Sequence, residues 1–207
     1  MSRMQKTDGT SRCLAQNGNI KRHSLNKLFS LNLPIRMATA CTKHPRVIHI
    51  STSDVNGSRI DFNLVDLPGI AESINADMIY SNFYKKYLNK ASVLLCLSQS
   101  DTRAYKQDEI FYRDLIENGF IRKSTFIILG INQIDLLFKT SENPDGVDLK
   151  GISSDSELIK EKIRDYYNVY STVFRDFPGI ASNNVVPFSA IQGWNLSILK
   201  ELIINNL

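Results

Sequence analysis

The sequence predicts an α/β fold with a mostly parallel sheet, one antiparallel edge strand and helices on both faces. Three observations indicate this class. Short apolar runs alternate with stretches in which apolar residues recur at helical spacing. The run at 93–97 is apolar throughout, as expected of a central parallel strand buried on both faces. Polar motifs follow the ends of several runs, and a parallel sheet gathers such ends on the edge where ligands bind.

Each element is predicted from a local pattern. Strands at 47–50 and 60–65 flank Asn56-Gly57, a strong signal for an antiparallel hairpin. The other elements, in chain order, are a helix around 74–89, a strand at 93–97, a helix around 104–118, a strand at 126–131, an exposed loop at 139–156, a helix around 156–175, a strand at 185–188 and a helix around 194–206. The apolar stripes of two helices are predicted to be Ile110, Phe111, Leu115 and Ile116, and Leu158, Ile159, Ile163, Tyr166 and Tyr170.

Length and composition favour one domain in a reducing compartment. A chain of 207 residues, 43% of them hydrophobic, can bury a sizeable core. Because no apolar run approaches the length of a membrane span and the first residues lack the apolar core of a signal peptide, we expect a cytoplasmic protein, monomeric or weakly dimeric. Three cysteines without metal-ligand spacing favour reduced thiols, with Cys96 a small core residue.

Positive charge is concentrated near the start of the chain. Residues 1–50 hold nine Lys or Arg residues against Asp8 alone, although the net charge of the whole chain is only +4. Such a region favours phosphate, either on a nucleotide or on RNA. The alternative is a solvated basic leader with no ligand.

Three motifs carry the candidate chemistry. Asp66-Leu67-Pro68-Gly69 places a carboxylate after a buried run, where it suits a magnesium ion, and a glycine whose backbone can approach a phosphate. The same residues also make a good generic turn. Asn132-Gln133-Ile134-Asp135 follows the run at 126–131, and Ser189-Ala190 follows the run at 185–188.

The second and third motifs suit a guanine base. Guanine presents two parallel donors, N1–H and the N2 amine, which the carboxylate of Asp135 can accept together, whereas adenine has no such pair. The Asn132 amide can bridge the base edge and a neighbouring loop, and the Gln133 stem can lie over the ring. The backbone amides of Ser189 and Ala190 could meet the guanine carbonyl, although the pair alone is also an ordinary loop before a helix.

In this order the motifs resemble the third, fourth and fifth guanine-nucleotide motifs of P-loop GTPases, specifically the Era-like, ribosome-associated bacterial branch. The resemblance implies a Ras-like G domain over 15–207, GTP or GDP and Mg²⁺ as cofactors, and the ribosome or RNA as a partner. It implies that Thr42 and Gly69 are catalytic and that Thr42 and Asp66 hold the metal. The nucleotide-binding residues it implies are Lys21, Asp66, Gly69, Asn132, Gln133, Asp135, Ser189 and Ala190.

The phosphate-binding loop departs from the family pattern G-x-x-x-x-G-K-[ST]. In the aligned octet at 15–22 only Lys21 falls on a defining position. Ala15 and Ile20 stand in place of the glycines, and we expect Ile20 to be costly if its φ is positive. Arg22 replaces the hydroxyl expected to bind magnesium, which puts the metal in doubt.

The segment before that loop is also unusual. Residues 8–14 are polar where a central strand is expected, so that strand is predicted to be poorly formed. Residues 1–14 are therefore either a basic, disordered leader or a degraded first strand. The predicted function is a GTP-binding protein with weak affinity and slow or absent hydrolysis. The alternative is a non-catalytic G-like interaction module, or a degenerate gene product, that binds no nucleotide.

Overall fold

The computed structural model describes residues 18–33, 44–54, 56–67, 74–101, 105–143 and 146–207, without the side chains of 18–21, 74–80 and 107. Five strands and five α-helices lie in these ranges. None of the helices there has the length and apolarity that crossing a bilayer would require.

The predicted hairpin is confirmed. Strands β1 (Arg46–Ser53) and β2 (Arg59–Asp66) pair antiparallel, with Ile50 opposite Phe62. The carboxylate of Asp54 accepts hydrogen bonds from the backbone N–H groups of Asn56 and Ser58, at 2.9 and 2.7 Å, and so closes the turn. The last three residues of β2 are buried, so this strand carries Asp66 into the interior.

The parallel part of the sheet contains three strands in the order β3 (Val93–Gln99), β4 (Phe126–Asn132) and β5 (Val185–Pro187). Gln99 lies opposite Asn132, and Ile131 lies opposite Pro187. The carboxyl ends of all three strands therefore meet at one edge, as the sequence predicts. Cys96 lies in β3 with its thiol buried, which confirms its place in the core.

Helices cover both faces of this sheet. They are α1 (Gly18–Phe29), α2 (Ile74–Leu88), α3 (Lys106–Glu117), α4 (Glu157–Val173) and α5 (Leu196–Ile204). Helices α3 and α4 contact each other above one core cluster, and α1 and α5 contact each other above a second cluster shared with the β1–β2 hairpin. The predicted architecture is thus confirmed. The segment at 8–14 lies outside the described residues, so its poor formation stays a prediction.

Two predicted apolar stripes are partly wrong. Ile110 and Leu158 are 59% and 40% exposed, respectively, whereas Tyr112 in α3 is buried. Each successive residue of a helix turns by about 100°, so a residue beside a buried position can face solvent. The loop predicted at 139–156 also contains a short 3₁₀ helix, Leu149–Gly151, in which Leu149 is buried.

Candidate functional site

Asn132, the last residue of β4, joins three segments at the sheet edge. Its side-chain Nδ2 donates to the hydroxyl of Ser24 in α1 at 3.1 Å. Its Oδ1 accepts from the backbone N–H of Gln133 at 2.7 Å and from that of Ala190 at 3.0 Å. Because an amide oxygen has two lone pairs, these contacts use its full accepting capacity. The carboxamide is buried and fixes α1, β4 and the Ser189-Ala190 loop relative to one another.

The backbone reverses at Gln133, which has a left-handed conformation with φ 59° and ψ 39°. Such a conformation is uncommon outside glycine, and surrounding contacts must hold it. Ser100, just after β3, provides them: its hydroxyl donates to the Gln133 carbonyl, and its N–H donates to the Asn132 carbonyl at 2.9 Å. The side-chain oxygen Oε1 of Gln133 is buried with no hydrogen-bond partner among the described residues.

Asp135 follows in a short 3₁₀ helix, Ile134–Phe138, and is only 4% exposed. Its carboxylate oxygen Oδ1 has no hydrogen-bond partner in the part of the chain that the structure describes. Gly146, at φ +94°, packs against the backbone here, and a Cβ on it would lie 2.7 Å from the Asp135 carbonyl oxygen. The site therefore holds a buried carboxylate oxygen without a donor among the described residues, which is costly without a ligand.

Gln192 joins the two loops beside Asp135, a role that the sequence does not predict. Its side chain accepts from the N–H of Leu149 at 2.8 Å and donates to the carbonyl of Val147 at 2.7 Å. Its own N–H donates to the hydroxyl of Ser189 at 3.3 Å. Leu149 and Val147 lie more than 40 residues from Gln192 along the chain, and no local pattern marks such contacts.

The backbone amides of Ser189 and Ala190 already have acceptors within the protein. Ser189 N–H donates to the carbonyl of Trp194 at 3.1 Å, and Ala190 N–H donates to Asn132 Oδ1. Both residues are buried. A bound base would have to share these donors with their present acceptors.

Asp66 lies at the end of β2 and is paired with Arg22 of α1. The guanidinium Nε lies 3.1 Å from Asp66 Oδ2, and the two side chains are 1% and 0% exposed. Since Arg22 and Ser24 are close neighbours on α1, this helix brings the Asp66 and Asn132 motifs together. Within the described ranges, no three His, Cys, Asp or Glu side chains form a group that could hold a metal ion.

The remaining predicted site residues are less fully described. Lys21 lies in the first turn of α1, where the structure describes its backbone but not its side chain. Thr42 and Gly69 fall outside the described residues. Ile20 lies within α1, so the expected cost of a positive φ at this position does not arise, because a helix has negative φ throughout.

The chain matches no protein-family model. It is 30% identical over 116 residues to the uncharacterized protein YfjP of Escherichia coli, a match that covers 56% of this chain and 39% of that protein. It is 32% identical over 104 residues to the uncharacterized protein YkfA of the same organism, covering 50% of this chain and 34% of that protein. The matches thus span little more than a third of these relatives.

Two solved structures of Era resemble the chain in three dimensions. A variant of Aquifex aeolicus Era bound to GDP·AlF₄⁻ superposes with a TM-score of 0.61 at 21% identity. Era in complex with MgGDPNP and a fragment of 16S ribosomal RNA superposes with a TM-score of 0.64 at 20% identity. Each match covers 96% of this chain and 56% of the Era chain. The chain therefore shares the fold of the matched part of Era.

Proposed function

We propose that this protein binds guanine nucleotides as a member of the Era-like GTPase class. The observation that carries the proposal is the buried carboxylate of Asp135, whose Oδ1 has no donor among the described residues. It lies at the edge where Asn132, Gln133, Ser189 and Ala190 meet. Guanine supplies two parallel N–H donors to a carboxylate, whereas adenine has no such pair, so the site favours guanine over adenine.

The phosphate side is proposed to be the weaker half of the site. It would consist of Lys21, Asp66 and Gly69, with Thr42 as the residue of the first switch. The glycines that let a backbone approach a phosphate are replaced by Ala15 and Ile20. We therefore expect weak affinity and slow or absent hydrolysis. Micromolar affinity for GTP with ready magnesium-dependent turnover would contradict this expectation.

The experiment is a fluorescence titration of the folded protein with labelled GDP, GTP and ATP. The key variant is Asp135→Asn, which replaces one acceptor by an amide donor and should weaken GDP binding about 100-fold, the value of one strong charge-assisted hydrogen bond. Xanthine presents one donor and one acceptor at the same edge, so this variant should gain affinity for xanthosine diphosphate. Asp155→Asn makes the same chemical change at an 86% exposed side chain and should alter neither affinity.

A second candidate function is an interaction module that keeps the fold without binding nucleotide. The observation that favours it is the internal pairing of the Asn132 Oδ1 and of the Ser189 and Ala190 amides, which holds the loop together without a ligand. A folded wild-type protein that binds neither GDP nor GTP would favour this candidate. Unchanged GDP binding in Asp135→Asn would contradict the base-recognition proposal itself.

RNA is the proposed partner of the basic first 50 residues, in keeping with their charge. The ribosomal RNA in one of the matched Era structures is consistent with this partner. Nucleotide binding and RNA binding do not exclude each other.

A further inference from the structure

The fold implies a magnesium ion beside Asp66, and the residues present do not fit one. Mg²⁺ requires near-octahedral oxygen ligands at about 2.0–2.1 Å. The side chain at position 22 is a guanidinium, which has five N–H donors and no lone pair to offer a metal. Its Nε lies 3.1 Å from Asp66 Oδ2, so a positive charge already lies against this carboxylate oxygen.

The Arg22–Asp66 pair is part of the interior and not a surface contact. The two side chains are 1% and 0% exposed, and they join α1 to the end of β2 across 44 positions of sequence. A buried carboxylate is stable only when a cation or several donors compensate its charge. Arginine cannot lose its proton in a protein, so the compensation is permanent and independent of any ion in solution.

We infer that Arg22 is the resident cation of the Asp66 site, so that the protein binds its nucleotide without Mg²⁺. The binding of a nucleotide is taken from the proposed function. The exclusion of Mg²⁺ is inferred from the Arg22–Asp66 geometry alone. We therefore expect the affinity of the protein for guanine nucleotides to be unaffected by a divalent ion. The guanidinium supplies positive charge near the phosphate side but provides no coordination position.

The first measurement compares GDP and GTP affinities of the wild-type protein in excess Mg²⁺ and in EDTA. We expect equal affinities in the two conditions. If Mg²⁺ strengthened wild-type binding by about tenfold or more, metal and nucleotide would be coupled in the site and the inference would be overturned.

Two variants test the role of the guanidinium. Arg22→Ser restores a hydroxyl at this position, so in a variant shown by circular dichroism to be folded, Mg²⁺ should now strengthen nucleotide binding. A folded Arg22→Ser protein that remains insensitive to Mg²⁺ would show that Arg22 is not what excludes the metal. Arg113→Ser is the matched control, because Arg113 pairs with Glu109 on the surface of α3, and it should behave as wild type.

A third measurement tests directly whether Asp66 binds a divalent ion. It needs neither a nucleotide nor the Arg22→Ser variant. The melting temperatures of the wild type and of Asp66→Asn are followed as Mg²⁺ or Mn²⁺ is added. Since a ligand that binds the folded state raises the melting temperature, the two proteins should respond equally if Asp66 takes no metal. A wild-type rise exceeding that of Asp66→Asn by about 2 °C or more would overturn the inference. Absence of nucleotide binding would contradict the proposed function while leaving this comparison intact.

Discussion

At the scale of single residues, Asn132 determines how α1, β4 and the Ser189-Ala190 loop are held together at the candidate site. Its carboxamide makes three hydrogen bonds, to Ser24, Gln133 and Ala190, from a buried position. Asn132→Ala leaves the Ala190 N–H buried without its acceptor. We expect a loss of about 3 kcal/mol in the free energy of unfolding, measured by urea denaturation, at about 1 kcal/mol for each bond.

Two variants separate the contributions to that loss. Ser24→Ala removes the bond between Asn132 and α1 and leaves the bonds of Asn132 to Gln133 and Ala190, so it should cost less than Asn132→Ala, about 1 kcal/mol. Asn206→Ala makes the same substitution near the end of the chain, where the side chain donates once, to the Leu202 carbonyl, and should cost no more than about 1 kcal/mol. Equal losses for Asn132→Ala and Asn206→Ala would contradict the role assigned to Asn132.

Long-range partners of single residues are what the sequence cannot predict. The position of Asn132 after an apolar strand marks it as a site residue, and the structure places it at the expected edge. The pairing of Arg22 with Asp66 and the bridging by Gln192 connect residues about 40 positions apart. Periodicity predicts which face of a helix or strand is buried. It does not predict which residue of another element will contact that face.

At the scale of elements, α3 and α4 pack through an aromatic cluster above β3. The cluster consists of Tyr105, Tyr112, Tyr166, Tyr170 and Phe174, with ring centroids 4.4 to 6.4 Å apart. The Tyr170 hydroxyl donates to Asp108 Oδ2 at 2.7 Å and ties the two helices together. Helical spacing predicted Tyr166 and Tyr170 on the inner face, whereas the burial of Tyr112 was not predicted.

Burial in this region makes the stability of the protein sensitive to alkaline pH. Burial raises the pKa of the Cys96 thiol from its ordinary value of 9.0 to about 12. It also raises the pKa of Tyr112 and Tyr166 well above the ordinary value for tyrosine. Above pH 9 the unfolded chain releases the Cys96 proton while the folded protein keeps it, so stability falls as pH rises. Below pH 9 the thiol keeps its proton in both the folded and the unfolded protein, so the stability contributed by the buried thiol is fully present.

We expect the free energy of unfolding to fall between pH 9 and pH 11, with Cys96 contributing on the order of 2 kcal/mol of that decrease. The decrease is measured by urea denaturation at a series of pH values between 9 and 11. Cys96→Ala should show a shallower decrease over this range. Groups that titrate in both proteins contribute equally to the two curves, so the difference between the curves reports Cys96. Parallel curves for the two proteins would contradict the assignment to Cys96.

At the scale of the whole molecule, the fold class and the placement of helices on both faces follow from alternation along the chain. The Asn56-Gly57 turn predicts the hairpin because few sequences accommodate that turn. The apolar run at 93–97 predicts a strand buried on both faces because no solvent-facing residue interrupts it, and β3 is buried along this run. Among the described strands, however, β3 lies at one end of the three-stranded sheet and not at its centre. The described strands separate into a hairpin and a three-stranded sheet that pack into the same core clusters, and alternation along the chain does not predict this separation.

The distribution of charge gives the last prediction, which concerns RNA. Residues 1–50 hold nine basic side chains and one acidic side chain, whereas the rest of the chain has 16 basic and 20 acidic side chains. If the basic region binds RNA phosphates, the logarithm of affinity for single-stranded RNA should fall linearly with the logarithm of salt concentration. Replacing both Lys6 and Arg12 by alanine should lower the slope by about 1.4, at about 0.7 for each phosphate contact.

Filter binding over a series of salt concentrations measures this slope. Replacing Lys150 and Lys160 by alanine is the matched control, because it removes the same charge from exposed positions in the acidic remainder of the chain. The control should leave the slope unchanged. An equal decrease in both double variants would contradict the assignment of RNA binding to the basic region.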